Sequence, residues 1–243
     1  MHAHARWCLS LLMLTVSFVL GSCAKEPVVH TPPTIHVLTK HESGAAMAQS
    51  PSKAARYTTQ ALVEPVLRVS SRLIAAAGQT TEYAKRAGAL CWVIAVYDDQ
   101  AGRRSFVGAD GAIVVSSGAF RLLETEGGLA AWLSHELVHA LTDTAPPSTG
   151  CLIESGQEPA LVSRDEEEYA DEKGLTLMAD AGYDPREALQ LWERMKHDNR
   201  QADEVLTHVT YERRMERIVR SMPHALVRFE RANRAPQKVL PLR

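Results

Sequence analysis

The sequence has no stretch long enough to cross a bilayer, and it is poor in aromatic residues. Only 6% of its 243 residues are aromatic, and no window reaches the roughly 18 apolar residues that a membrane-spanning helix needs. The formal net charge is -2, so neither a basic excess nor an aromatic stacking surface favours nucleic acid as a partner. The remaining composition, 45% hydrophobic and 23% charged, is typical of one globular domain with an appendage.

Cysteine is also scarce, and the position of one cysteine is informative. An apolar run, Trp7–Leu20, follows a mildly basic start and leads into Gly21, Ser22 and Cys23. A hydrophobic run, small residues and then a cysteine are the order of a bacterial lipobox, so we expect residues 1–22 to be a signal peptide and Cys23 to be acylated, palmitate included. The alternative is an ordinary signal peptide. Ala24, in place of aspartate, favours the periplasmic side of the outer membrane.

The mature chain divides by composition into a tether and a domain. Residues 23–52 are rich in proline, threonine and serine without a sustained period, which predicts a flexible tether. Residues 53–243 then form one domain. An exported compartment permits a disulfide between Cys91 and Cys151, although the two cysteines are equally compatible with unrelated buried positions.

Hydrophobic periodicity predicts short strands followed mainly by helices. We expect strands at 91–97, 105–107 and 112–116, and helices at 54–77, 129–142, 162–181, from 184 onwards and 210–233. Pro65 and Pro223 are expected to kink or interrupt their helices. Asp184 is expected to cap the helix that follows it, with Glu187 as its reciprocal partner.

One helix carries a motif with direct chemical meaning. His135 and His139 are four residues apart, so both imidazoles lie on one helix face and can bind one tetrahedral Zn²⁺. Glu136 is turned by about 100° from His135 and suits a general base for a water activated by the metal. A chance pentapeptide is the alternative, but burying these polar groups unpartnered would cost roughly 2–7 kcal/mol each.

A third ligand is expected from an acidic helix about 30 residues further on. Glu167 and Asp171 are four apart and share one helix face. One carboxylate can bind zinc, and the other can accept a hydrogen bond from a ligand imidazole. Taken alone, the run of acidic residues around them favours a solvated helix face; its distance from the histidine motif favours a ligand instead.

Together these residues resemble the HtpX/CAAX-prenyl-protease family of zinc metallopeptidases. The family's zinc ligands are the two histidines of H-E-x-x-H and the first glutamate of E-x-x-A-D, which correspond to His135, His139 and Glu167 here. Gly174-Leu175 and Ala181–Pro185 are also similar. The resemblance implies an α+β, mainly helical gluzincin-type domain with a small sheet, one Zn²⁺ per chain and the catalytic domain alone of the outer-membrane lipoprotein members. Val138 stands where the family usually has glycine.

The resemblance also implies residues around the cleft. The strand Gly111, Ala112, Ile113 and Val114 would offer a sheet edge on which the substrate backbone adds as a further strand. His208 and Arg214 would line the active site, one or both stabilising the oxyanion. The alternatives are that His208 is an ordinary surface histidine and that Arg214 lies on a solvated helix face.

The sequence therefore predicts a zinc-dependent endopeptidase of the periplasm that acts in envelope protein quality control. Its partners would be protein or peptide substrates, with misfolded outer-membrane proteins an implication of the resemblance alone, and the membrane through the lipid on Cys23. Two alternatives stay open: a chaperone-like binding lipoprotein that has lost turnover, and a structural envelope lipoprotein with a chance motif.

Overall fold

The computed structural model describes residues 35–37, 56–57, 60–98, 105–108, 110–143, 163–198 and 210–234. Its strands are β1 (Ile35–Val37), β2 (Arg56–Tyr57), β3 (Trp92–Asp98), β4 (Ser105–Val107) and β5 (Ala112–Ser116). Its α-helices are α1 (Gln60–Ala77), α2 (Ala84–Ala89), α3 (Glu126–Thr142), α4 (Arg164–Asp180), α5 (Arg186–Asp198) and α6 (Tyr211–Arg234), and a 3-10 helix covers Ser117–Arg121. The predicted α+β class, mainly helical with a small sheet, is confirmed.

The strands form one mixed sheet in the order β1-β3-β5-β4, with β2 also paired to β3. β1 and β5 run parallel to β3, whereas β2 and β4 pair antiparallel to their neighbours. Alternate residues of β3 and β5 face opposite sides, as the strand period requires. Trp92, Ile94 and Ile113 enter the main core beneath the helices, and Val93 and Val114 join a smaller apolar cluster on the other face.

The sheet edge differs from the one expected. The strand predicted to offer its edge to a substrate, Gly111, Ala112, Ile113 and Val114, contributes to β5, which pairs with β3 on one side and β4 on the other. Its backbone is therefore engaged on both sides, and that prediction is wrong. Within the described residues β4 pairs only with β5 and also packs against α3. The edge strand beside the motif helix is thus β4, which the sequence did not distinguish because both strands are short and apolar.

Residues 35–37 lie in the segment for which a flexible tether was predicted, and they pair in register with Trp92–Ile94. Three residues are too few to show a strand period in a sequence, so this pairing had no signal. The disulfide prediction is only partly open to inspection: Cys91 is disulfide-bonded, and Cys151 lies outside the described residues.

Two prolines expected to kink or interrupt their helices lie inside helices that continue through them. Pro65 lies inside α1, and Pro223 lies near the middle of the 24-residue α6. Pro223 is exposed, so water can solvate the carbonyl that lacks its helical donor, and the helix continues through it. No helix in the described residues is both long and apolar enough to span a membrane.

Candidate metal centre

The motif helix is fixed at its N-terminal end by a contact with another helix. The Thr125 hydroxyl accepts a hydrogen bond from the Gly128 amide at 2.9 Å and donates one to the Glu187 carboxylate at 2.8 Å. Glu187 at the start of α5 therefore supports the cap of α3. This corrects the expectation that Glu187 would complete a capping box with Asp184; Asp184 instead accepts from the Arg186 amide at 3.0 Å.

His135 and His139 meet the Glu167 carboxylate at one point between α3 and α4. The two Nε2 atoms are 3.2 Å apart, and the Glu167 oxygens lie 3.4 Å from His135 Nε2 and 3.5 Å from His139 Nε2. Ligands bonded tetrahedrally at about 2.0–2.1 Å are separated by roughly 3.3–3.4 Å. The three side chains thus have about the spacing that three ligands of one tetrahedral divalent metal require, with each Glu167 oxygen facing one imidazole.

The start of α4 selects which of two adjacent glutamates enters this site. Ser163 and Glu166 form a capping box at the helix N-terminus. Consecutive residues on a helix are turned by about 100°, so Glu167 reaches the imidazoles while Glu168 pairs with Arg213 and Arg217 of α6. The acidic run is therefore divided between a candidate metal site and a helix interface.

A close approach of α3 and α4 makes this convergence possible. A Cβ placed on Gly174 would lie 2.9 Å from the backbone nitrogen and 3.0 Å from the Cα of His135. Only a residue without a side chain permits that approach. Gly174 is seven residues, about two helical turns, beyond Glu167, so it sets the distance between the helix that carries the histidines and the helix that carries the carboxylate.

Behind the three donors lies a buried network of charge. Asp171 Oδ1 is 3.1 Å from His135 Nδ1, and Arg214 donates to Asp171 through Nη2 at 2.7 Å and through Nε at 3.0 Å. Arg214 Nη1 also lies 3.2 Å from Glu167. Arg214 is only 6% exposed, so its charge is balanced within the protein rather than by solvent.

These contacts shift the protonation of each group in a definite direction. Burial alone would raise the pKa of Glu167, but His135 and His139 hold it well below its usual range. Burial likewise opposes ionisation of Asp171, and Arg214 and His135 lower its pKa. Burial and Arg214 lower the pKa of His135, but Asp171 and Glu167 outweigh them and raise it to about 9. The carboxylates are therefore ionised at neutral pH, as metal ligands and their supports must be.

Glu136 lies beside the donors on α3, half-buried. Burial raises the pKa of Glu136, while the neighbouring His135 and His139 lower it. A carboxylate whose pKa is raised toward neutrality is suited to accept and return a proton. Val138, where the resembled family usually has glycine, is fully buried in the core, so its extra bulk is taken up by packing inside the domain.

The structure brings together six of the residues singled out from the sequence: His135, Glu136, His139, Glu167, Asp171 and Arg214. His208 lies outside the described residues. Sequence reasoning missed Trp192 of α5, whose ring lies 3.8 Å below the Arg214 guanidinium carbon. Its helical spacing with Ala188 and Met195, both buried, is that of an ordinary core residue, so no signal marked it.

Two comparisons with known proteins found similarity to peptidases. Residues 158–233 match the family model described as Peptidase family M48, a range that contains Glu167, Asp171 and Arg214 and begins after the histidine motif. The mitochondrial metalloendopeptidase OMA1 of Schizosaccharomyces pombe is 30% identical over 192 residues, which is 68% of this chain and 54% of that protein. The first comparison shows similarity to peptidase family M48 over residues 158–233, and the second shows similarity to a metalloendopeptidase. The chain spans about half the length of this relative.

The family match and the His135, His139 and Glu167 group both support a metal-dependent peptidase domain. The family match itself covers the second motif but not the first. The structure connects the two motifs, because His135 and His139 of α3 lie next to the carboxylate of Glu167, which is inside the matched region.

Proposed function

We propose that this protein is a zinc-dependent endopeptidase with His135, His139 and Glu167 as the metal ligands and Glu136 as the general base. The observation that carries the proposal is the meeting of two imidazoles and one carboxylate, with all three ligand atoms within 4.8 Å of one another. Three protein donors of this kind with one open position are typical of catalytic rather than structural zinc.

The residues around the ligands have separate tasks in peptide hydrolysis. When bound, the metal acts as a Lewis acid that polarises the scissile carbonyl and makes water a stronger acid. Glu136 takes the proton from the attacking water and passes it to the departing amine nitrogen. Asp171 holds His135 in the tautomer that leaves Nε2 free to bind.

Arg214 is better placed to support the carboxylates than to reach a substrate. Its Nε and Nη2 are engaged by Asp171, and its Nη1 faces Glu167. We therefore propose Arg214 as a positioning residue. His208, which the sequence resemblance places at the active site, would stabilise the developing oxyanion together with a bound metal.

The substrate backbone is proposed to add to the sheet at β4. Ser105, Phe106 and Val107 form an edge strand whose partner among the described residues is β5, and β4 packs against the helix that carries the motif. An extended peptide paired there would gain backbone hydrogen bonds without a demand for particular side chains, which suits a broad specificity.

The test of the proposed function is the pair of wild type and Glu136→Gln, both without residues 1–22. The amide keeps the shape of the side chain but cannot take the proton, so we expect both proteins to bind one zinc ion and only the wild type to cleave a casein-like substrate, with a loss of at least about a hundredfold in kcat/KM for the variant. Cleavage by Glu136→Gln at the wild-type rate would overturn the proposal.

We further propose that the protein is anchored by lipid on Cys23 at the periplasmic side of an outer membrane and acts in envelope protein quality control. The support is the order of apolar run, small residues, cysteine and Ala24 in the sequence. The full chain expressed with radiolabelled palmitate should carry label and fractionate with the outer membrane, and Cys23→Ser should do neither. Labelled Cys23→Ser protein would contradict the anchor.

A further inference from the structure

One indole ring lies at the meeting point of three helices around the candidate metal centre. Trp192 projects from α5 and is 6% exposed. The Arg214 guanidinium carbon lies 3.8 Å from the centre of its ring. The His135 ring meets it edge to face at 5.9 Å, and the Tyr211 ring lies 6.4 Å away. Trp192 thus contacts both the candidate ligand His135 and Arg214, the residue that pairs with Asp171 and Glu167.

The contact with Arg214 complements the contacts that the carboxylates make. A guanidinium donates hydrogen bonds only in its own plane. Asp171 accepts such bonds from Nε and Nη2 of Arg214, and Glu167 forms an ion pair with Nη1. These contacts fix the rotation of the guanidinium but not its movement perpendicular to the plane. The indole covers one flat side of the guanidinium and attracts it through the cation–π interaction. The ring therefore restrains the one motion that the carboxylates leave open.

The position of Arg214 matters because the same group lies close to the ligand atom of His135. Arg214 Nη2 is 3.2 Å from His135 Nε2 and 2.7 Å from Asp171 Oδ1. A small shift off the indole would loosen the hold on Asp171 and bring a fixed positive charge nearer to the place where a cation binds. Either change weakens metal binding.

We infer that Trp192 is a positioning residue of the metal centre, acting as an aromatic platform that holds Arg214 against Asp171 and Glu167. This inference rests on the proposed metallopeptidase function. It assigns Trp192 no contact with substrate or metal. It requires a ring with an electron-rich face, and not merely an apolar side chain of similar size, at this position.

The first test compares Trp192→Phe with Trp192→Leu in the protein without residues 1–22. Zinc affinity is measured by chelator competition, and the ligand field by the visible spectrum of the cobalt-substituted protein. Phenylalanine keeps a π face, so we expect zinc affinity within about threefold of wild type and an unchanged cobalt spectrum. Leucine removes the face, so we expect affinity to fall about tenfold and the cobalt bands to shift.

The chain offers a matched control in a second arginine–aromatic pair, in which the ring is buried and the arginine is half-buried. The Arg72 guanidinium carbon lies 4.2 Å from the centre of the Tyr183 ring, and Tyr183 is also 6% exposed. None of the hydrogen bonds or ion pairs described above joins Arg72 or Tyr183 to a candidate metal ligand. Tyr183→Leu should lower the free energy of unfolding and leave zinc affinity and the cobalt spectrum as in wild type.

A second series keeps the proposal testable if Trp192→Leu does not fold. Site-specific replacement of Trp192 by mono-, di- and trifluorotryptophan leaves the shape of the ring nearly unchanged and withdraws electron density from its face. Zinc affinity should fall step by step, reaching about fivefold for the trifluorinated ring. Equal affinity across this series would overturn the inference, as would a folded Trp192→Leu protein with wild-type zinc affinity and cobalt spectrum.

Failure of this inference is distinguishable from failure of the proposed function. If wild type binds one zinc ion and cleaves, and Glu136→Gln binds zinc without cleaving, the metallopeptidase assignment stands whatever the Trp192 series shows. A wild-type protein that binds no stoichiometric metal would instead overturn both, since Trp192 would then have no metal centre to position.

Discussion

Asp171 Oδ1 lies 3.1 Å from Nδ1 of His135. A carboxylate at this distance assigns the ring proton to Nδ1, because an ionised carboxylate can only accept. When the ring gives up its second proton to bind a metal, the lone pair of His135 is then on Nε2, the atom that faces Glu167 and His139. Asp171, which is not itself one of the three donors, thus determines which nitrogen of His135 is available to a metal.

Replacing Asp171 with asparagine should weaken metal binding more than its small change in shape suggests. The amide oxygen of the new side chain could still accept from His135, but the amide lacks the charge that balances the buried Arg214. We expect zinc affinity to fall about ten- to a hundredfold, measured by chelator competition, with a proportionate loss of cleavage at limiting zinc.

Asp180→Asn is the matched control for Asp171→Asn. Asp180 belongs to the same helix and accepts a hydrogen bond from Arg228 of α6 at 2.7 Å, so it bridges the same two helices away from the donors. Its loss should leave zinc affinity within about twofold of wild type. A similar loss of zinc in both variants would mean that the packing of α4 on α6, and not the contact with His135, holds the site.

Gly174→Ala should separate the two helices that carry the ligands. The added Cβ would lie 2.9 Å from the His135 backbone nitrogen, and backbone at that distance cannot yield as a flexible side chain can. We expect the free energy of unfolding to fall by about 1–3 kcal/mol and zinc affinity to fall with it, measured by denaturant unfolding of the metal-free protein and by chelator competition.

Gly88→Ala is the corresponding control, since an added Cβ there meets no atom within 4 Å. Gly88 lies in α2, where alanine favours the helix and should stabilise the protein by about 0.5–1 kcal/mol. The prediction for Gly174 is wrong if both glycines accept alanine equally well.

Asp184 gives a pH dependence that is independent of the metal. Its hydrogen bonds from the Arg186 side chain and backbone lower the pKa of Asp184 relative to the unfolded chain. A lowered folded-state pKa adds stability that is present above the unfolded-state pKa and is lost as the pH falls through the folded-state value. The difference in unfolding free energy between wild type and Asp184→Ala should therefore be constant near neutral pH and shrink below about pH 4.

Denaturant unfolding of both proteins in EDTA at pH 7 and at about pH 3 measures this difference without a contribution from metal binding. Asp184→Asn, which keeps an acceptor but no charge, should differ from Asp184→Ala by the same amount at both pH values. A wild-type advantage over Asp184→Ala that is undiminished in acid would show that the carboxylate charge does not contribute.

The spacing of the histidines and of the acidic pair was enough to predict the residues that converge at the site. A four-residue repeat on a helix fixes which side chains share a face whatever the surrounding fold, and this is why His135 and His139, and Glu167 and Asp171, lie together as pairs. That the two faces meet depends on packing between helices. The sequence carried one trace of this packing, Gly174.

Features that depend on contacts between distant segments were not predictable in the same way. β1 pairs with β3 across more than 50 residues of sequence, and three residues carry no periodic signal. The choice of β4 over β5 as the edge depends on strand order, which short apolar strands do not encode. Trp192 and Glu187 have local patterns of a core residue and a capping residue, and only the fold shows that one underlies Arg214 and the other supports Thr125.

Zinc affinity of Glu167→Gln beside Glu168→Gln tests the proposed metal centre most directly, because the two variants change the same group at adjacent positions of one helix. Glu167→Gln should bind zinc more than about a hundredfold more weakly than wild type, beyond the loss usual for residues behind the ligands. Glu168→Gln should lose an ion pair with α6 and keep wild-type affinity. Equal affinity in the two variants would contradict Glu167 as a ligand and with it the proposed hydrolytic site.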